Sequence, residues 1–330
     1  MSHTSTNTTA FVEAQQYSAF ILTNLPDGLL PEGFYRDVSD FGSGTTLNIK
    51  SIGSATIQDV EENVPMTYNP IDTGTVTLSI SDYVGDAWYI TDNLREDGAQ
   101  VESLSAARAQ EATRAMQEDF ETKFLKMCGD GTTGVQTVND ANLVNSFSHR
   151  FTGSSTNNSI ALGDISAMTL SFNKANVPMA GRVAIVDPVV ATTIGNLAIT
   201  GTLHQNQPQW QSILENGWEM NHSFVINIFG WDIWTSNRLF VTIVEEAALV
   251  SGDGTAAPIA SLGNVCNVFM SILDDNTKPI MGAWRRMPKA EGERNSKLKR
   301  DEFDVTSRFG FGGQRIDTIG VILTNATLTV

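Results

Sequence analysis

The stretch "GAQVESLSAARAQEATRAMQEDFETKFLKMC", residues 98–128, constrains the fold more than any other part of the chain. Apolar side chains recur at Val101, Leu104, Ala112, Met116, Phe120, Phe124 and Met127, close to helical spacing. Glu96 and Asp97 lie at its N-terminal end and Lys123 and Lys126 near its C-terminal end, as the helix dipole favours. "GDGTTG", Gly129–Gly134, then stops it. At 1.5 Å per residue the helix runs to about 45 Å, long for a chain of 330 residues. Such a helix is a spine, and other elements must pack along it.

The segments before it read as strands. "TLNIKSIGSATI" and "TVTLSISDYV" are rich in Thr, Val and Ile and alternate apolar with polar, most clearly at Val76, Leu78 and Ile80. Between them lies "QDVEENVPMTYNPIDTG", acidic and turn-prone. Two half-buried strands around such a tip predict a long hairpin. An isolated hairpin is marginal in water, so this one leans on another surface, and a second subunit is the favoured one. Residues 1–35 carry apolar patches broken by "LPDGLLPEG" and read as an arm.

From about residue 163 helices and strands alternate. "DISAMTLSFNKANV" predicts a helix capped by Asp164, "RVAIVD" a short buried strand, and "PVVATTIGNL" a helix with Pro188 in its first turn. "SFVINIFGWDIWTSNRL" predicts two strands bent at Gly230, and further strands follow in "NVCNVFMSIL" and "IMGAWRRM". This α/β subdomain runs to about residue 284. The last stretch, "EFDVTSRFGFGGQRIDTIGVILTNATL", predicts two strands joined at Gly310, Gly312 and Gly313. The fold class is α+β.

Charge is unevenly placed. The net charge is −16, and residues 1–100 hold fourteen acids against Arg36, Lys50 and Arg95, a balance of −11. Residues 285–315 hold nine of the 21 basic residues against five acids, a balance of +4. The acidic loop residues Asp59, Glu61 and Glu62 and the basic Lys297, Lys299 and Arg300 are candidates for one contact between subunits. Two separately solvated faces are the alternative. Tight DNA binding needs a net basic surface, which this chain lacks. No run of 18 apolar residues offers a membrane span, and the polar N-terminus has no secretory pattern. Cys128 and Cys266, far apart and without metal-ligand neighbours, read as reduced core thiols of an intracellular product.

No motif carries chemistry. "RFGFGGQR", Arg308 to Arg315, resembles a phosphate loop in its glycines, but lacks the Walker lysine and does not open a helix. Its glycines are expected to make a turn or bulge between strands, with Arg308 and Arg315 facing acidic neighbours. His3, His149, His204 and His222 lack metal-ligand spacing. There is no nucleophile elbow, and "DVEENVP" lacks the alternating oxygen ligands of a calcium loop. No catalytic residue, cofactor or metal is expected.

The order of parts, together with "LPDGLLPEGFYRDVSDFGSG" (Leu25–Gly44), "YNPIDTGTVTLSISDYVGDAWYITDNLREDG" (Tyr68–Gly98), "ANVPMAGRVAIVDP" (Ala175–Pro188) and "IFGWDIWTSNRL" (Ile228–Leu239), resembles the major capsid proteins of tailed bacteriophages. These have the Hong Kong 97 fold, and the stretches are most like those of short-tailed marine podovirus-type phages. The resemblance implies an N-terminal arm at 1–41, an extended loop at 42–82 lying on a neighbouring subunit, and a peripheral domain at 83–162 with its spine helix at 98–128. It further implies an axial domain at 163–284 meeting its copies at five-fold and six-fold axes, and returning strands of the peripheral domain at 285–330. Hexamers and pentamers in an icosahedral shell, assembled in the host cytoplasm, would enclose DNA without reading its sequence. The short polar lead implies a separate scaffolding protein. A portal protein is a second partner and a decoration protein a further candidate, with no membrane involved. A lysine–asparagine cross-link is not expected, since no activating acid is marked. The rivals are an encapsulin-type compartment shell, which shares the fold, and an enzyme with an atypical site.

Overall fold

The computed structural model describes residues 32–40, 44–53, 55, 57–98, 101–135, 143–144, 147–155, 158–200, 224–242, 249–250, 256–257 and 264–325. The arm expected at 1–41 lies largely outside these residues. A 3-10 turn, Glu32–Phe34, leads into β1 (Arg36–Asp37), followed by β2 (Thr46–Ile52), β3 (Thr73–Ser79) and β4 (Asp82–Thr91). Then come α1 (Asp92–Asp97) and α2 (Val101–Gly129), the short pair β5 (Leu143–Val144) and β6 (Phe147–Ser148), and β7 (Arg150–Thr152). Next are α3 (Leu162–Lys174), β8 (Arg182–Val186), α4 (Pro188–Thr200), β9 (Phe224–Ile228) and β10 (Trp231–Thr235). The short pair β11 (Leu249–Val250) and β12 (Ala256–Ala257) precedes β13 (Asn264–Ser271), β14 (Ile280–Asn295), β15 (Arg300–Gly313) and β16 (Ile319–Asn325).

The chain forms two compact units. Of the described residues, the smaller holds those within Asp86–Ala115 and Ala290–Val305; the larger holds those of 32–85, Met116–Lys289 and 306–325. The core of the larger unit is a six-stranded sheet in the order β7-β16-β13-β8-β10-β9. Strands from outside the predicted 163–284 stretch, β7 and β16, complete it. Every residue of β8 and β13 is buried, so the sheet is covered on both faces and apolar residues dominate both strands rather than alternating with polar ones. On one face Ala184, Val186, Phe269 and Ile322 pack with Ile165, Met168 and Phe172 of α3. On the other, Val183, Ile185, Val268 and Met270 pack with Phe124, Leu125 and Cys128 of α2. The period-2 alternation of a strand splits each sequence run between two cores.

Helix α2 spans 29 residues, about 44 Å at the standard rise. Its buried stripe is the four-residue ladder Ala112, Met116, Phe120, Phe124 and Cys128, with Phe120 partly buried. Phe120 stacks on Trp284 with centroids 4.2 Å apart and meets Phe311 at 4.7 Å. Leu104, expected on this stripe, is exposed instead. Glu96 and Asp97 belong to the separate helix α1, which Gly98 ends. Asp164 is not the cap of α3. It sits at the third helical position, where its Oδ2 accepts from the Ala161 and Ser154 amides at 2.8 and 3.0 Å. The β9–β10 turn is two residues long, with Phe229 and Gly230 at φ of 51° and 81°. Both central residues are left-handed, as the twist-matched hairpin turn requires.

Strands β2 and β3 pair antiparallel from Thr46↔Ser79 to Ile52↔Thr73, the hairpin that the alternation predicts. Its base is pinned by Leu78 and Ile80 against Met281 and Ala283. The glycines of "RFGFGGQR" do not make a turn. Strand β15 runs through Gly310 and Gly312, and neither has a positive φ. A Cβ on Gly310 would meet the Ser79 carbonyl oxygen and lie 2.7 Å from Ile80 Cα. These glycines allow backbone to approach backbone. The turn comes after them, where Gln314 and Arg315 donate to the Pro279 carbonyl at 2.7 and 3.1 Å. Arg315 does face an acid, Asp317 at 3.6 Å.

Candidate functional site

Groups capable of chemistry are dispersed and buried. Among the described residues no cluster of three or more His, Cys, Asp or Glu is placed to hold a metal ion. Cys128 and Cys266 are free and buried. Burial pushes the Cys128 thiol well above its ordinary range, which keeps it protonated and a poor nucleophile. His149 is buried, with Nδ1 3.3 Å from the Phe147 carbonyl, and burial holds its pKa below the ordinary 6.5. His3, His204 and His222 lie outside the described residues. The space beside Gly310 and Gly312 is filled by Ser79, Ile80 and Leu78, leaving no cradle for a phosphate.

The surfaces are more informative. Beyond the pinned base, the hairpin exposes Ile52, Ile57, Val60, Val64, Met66, Tyr68 and Ile71, with Tyr68 97% exposed. Large apolar residues so concentrated on one segment mark an interaction surface. Asp59, Glu61 and Glu62 are exposed on the same segment. Gln58 closes it internally: its side-chain amide donates to the Thr67 carbonyl at 2.7 Å, and its oxygen accepts from the Thr67 amide at 3.2 Å. The tip is therefore organised without its apolar side chains being buried.

In the smaller unit, β14 and β15 are joined by a tight connection. Asn295 Oδ1 accepts from the amides of Lys297 and Leu298 at 3.2 Å each, and Lys299 takes a left-handed φ of 52°. Arg294 forks onto Asp92 at 2.6 and 2.8 Å and reaches Asp301 at 3.1 Å. Its hydrogen bonds hold the Asp92 carboxyl below the usual carboxylate range. Arg300 donates to Glu302 at 2.6 Å and lies 4.5 Å over the Tyr89 ring. Of the three predicted basic contacts, Arg300 thus has partners within its own unit. Lys297 and Lys299 are exposed and make no ion pair among the described residues.

The same unit holds an open apolar pocket of about 400 Å³, lined by Trp88, Ile90, Ser105, Ala109, Glu291 and Phe303 among others. Trp88 stacks on Phe303 at 5.8 Å, and its Nε1 donates to Ser105 Oγ at 3.2 Å. Gly292 keeps the pocket open on the strand side, since a Cβ there would sit 3.2 Å from the Phe303 ring.

Residues 73–324 match the model of the phage capsid protein family. The chain belongs to that family. This capsid protein resembles solved structures along nearly its whole length. One, from Mycobacterium phage Che8, has 16% identity and a TM-score of 0.63, covering 95% of this chain and 97% of that one. The capsid of cyanophage P-SCSP1u has 14% identity and a TM-score of 0.64, with 97% and 95% covered. The mature capsid of bacteriophage PhiM1 has 12% identity and a TM-score of 0.67, with 99% and 96% covered. No curated protein matches the capsid protein by sequence. It is a major capsid shell protein of a tailed phage with the Hong Kong 97-like fold, a component of the virion. Its functional surfaces are contact surfaces. Sequence reading marked the acids of the hairpin tip but missed its apolar side and the Trp88 pocket. The available signal was the spacing of Ile57, Val60, Val64, Met66, Tyr68 and Ile71 among turn residues, where no strand period accounts for them.

Proposed function

We propose that this capsid protein builds an icosahedral head shell, in hexamers and pentamers around packaged double-stranded DNA, by laying its hairpin on a neighbouring subunit. The observation that carries this reading is the organised hairpin tip whose apolar side chains face solvent. A monomer gains nothing from that exposure, whereas closed symmetric assembly covers the same segment on every copy. On this reading 1–41 is an arm, 42–82 the extended loop, 83–162 with the spine helix and 285–330 the peripheral domain, and 163–284 the axial domain, whose sheet also takes in β7 and β16. Assembly in the host cytoplasm draws on a separate scaffolding protein and a portal, and a decoration protein is a further partner on the outer face. The role is geometric, with no reaction of its own. The net charge of −16 keeps the wall from gripping packaged DNA.

The acids Asp59, Glu61 and Glu62 of one subunit are proposed to face Lys297, Lys299 and Arg300 of the next. Reversing the three basic residues to Glu lowers shell yield about tenfold or more at physiological salt, because opposed like charges cost several kcal/mol. Reversing the three acids to Lys in the same chain restores it. Normal yield and salt tolerance in the basic-residue variant alone would show that these residues do not form the contact.

A further inference from the structure

His149 is a buried titratable side chain to which the shell reading gives no task. We propose that it is an acid-operated latch: neutral, it holds the β7 edge of the six-stranded sheet closed against α3, and protonation releases that edge. The latch is a property of the folded subunit and does not depend on the shell reading. His149 joins β6 to β7, which lies at one edge of the sheet, and its side chain is fully buried. Its carbonyl accepts from the Val321 amide of β16 at 2.7 Å. Its ring lies 5.4 Å from the Phe172 ring of α3, and the Ser171 hydroxyl of that helix donates to the Ser148 carbonyl at 2.8 Å. Gly320 of β16 permits this closeness, since a Cβ there would stand 2.8 Å from Met168 Cε and 3.1 Å from the Phe172 ring.

The surroundings suit the neutral ring. Nδ1 faces the Phe147 carbonyl at 3.3 Å, which assigns the proton to that nitrogen. Nε2 has no hydrogen-bond partner among the described residues. A proton there would add a charge and a donor with no acceptor at bonding distance. At the start of β16 the Asp317 carboxylate and carbonyl favour the charged ring, but that carboxylate also lies 3.6 Å from Arg315. Lys174 of α3 lies 5.4 Å over the Phe147 ring and Arg182 of β8 lies 5.5 Å over Phe172, and both oppose a further cation. Arg150 of β7 donates to the Gly129 carbonyl at 3.0 Å, toward α2. Burial outweighs Asp317 and holds the His149 pKa below 6.5. The opened segment therefore takes up a proton more readily than the closed one, and closure is full above pH 6.5 and weakens below it. The loss grows by up to about tenfold per pH unit and levels off once the closed ring is itself protonated.

Hydrogen exchange of the purified full-length protein, read by mass spectrometry as protection factors at about pH 7.5 and about pH 5, tests the latch. In wild type, protection of peptides covering residues 147–152 falls by about three- to thirty-fold at the lower pH, while β8 and β13 change by less than about twofold. His149→Asn can still donate to the Phe147 carbonyl but takes up no proton, and the pH difference disappears. His149→Gln, also neutral at both pH values, gives the same result and covers the case in which the Asn variant folds poorly. Asp317→Asn removes the acid that eases protonation, so its loss at the lower pH exceeds that of wild type. Unchanged protection of 147–152 in wild type overturns the latch. So does an equal loss in the two neutral variants, or a loss spread evenly over β8 and β13. Particle formation is scored separately: a protein that forms no particles contradicts the shell reading and leaves the latch standing.

Discussion

Gly310→Val lowers the free energy of unfolding by about 3 kcal/mol or more, because overpacking costs about 1–3 kcal/mol even where side chains can shift. Here the nearest atoms are backbone: the Ser79 carbonyl oxygen, and Ile80 Cα 2.7 Å from the new Cβ. Neither can rotate away. Gly310 lies beside the segment where the hairpin leaves the core, and Leu78 and Ile80 of that segment are buried against Met281 and Ala283. The damage therefore spreads to the hairpin base, and shell yield falls together with stability. A denaturant titration of Gly310→Ala and Gly310→Val, with wild type alongside, measures both steps. Losses below about 0.5 kcal/mol, the range of ordinary surface changes, would show that the close approach is not required.

Trp231→Ala costs about 3–5 kcal/mol, the range for emptying an aromatic site in a packed core. Trp231 is fully buried and meets Phe172 and Phe269 edge to face at 4.9 and 5.0 Å. Its Nε1 donates to Thr169 Oγ1 at 2.9 Å, tying β10 to α3. The Arg182 guanidinium, itself buried, lies 5.6 Å from the ring. Arg182 is held independently by the Pro178 and Val177 carbonyls and by Asn173, at 2.8 to 2.9 Å, so it stays in place beside the cavity. Trp231→Phe keeps much of the packing and loses the Thr169 bond, which places its cost at about 1–2 kcal/mol. Urea unfolding followed by circular dichroism orders the three proteins. A Trp231→Ala protein within about 1 kcal/mol of wild type would contradict the packing described.

The elements that sequence reading located are those governed by local rules. The long helix announced itself by a four-residue apolar ladder and the "GDGTTG" stop, and β8 and β13 by short, mainly apolar runs. The β9–β10 turn was marked by Gly230. What sequence could not supply was the meaning of a residue whose partner lies far along the chain. Gly310 looked like a bend because glycine often is one, whereas its neighbours are Ser79 and Ile80, some 230 residues earlier. Leu104 fitted the helical period but faces solvent, because the buried ladder of α2 begins at Ala112. Strands β7 and β16 belong to one sheet only through non-local pairing, which no window of sequence shows. The acidic character of residues 59–62 was readable from composition. The exposure of Tyr68 was not, since an aromatic in a loop is as often tucked under the loop as left outside it.

Electron cryo-microscopy of particles purified from cells expressing the protein tests the central claim most directly. The predicted map is an icosahedral shell in which the 46–79 hairpin of each subunit extends over a neighbour, with density for residues 57–71 resting on that neighbour. A protein that remains monomeric at high concentration, with and without a co-expressed scaffolding protein, would contradict the account. So would a shell whose hairpins fold back onto their own subunits.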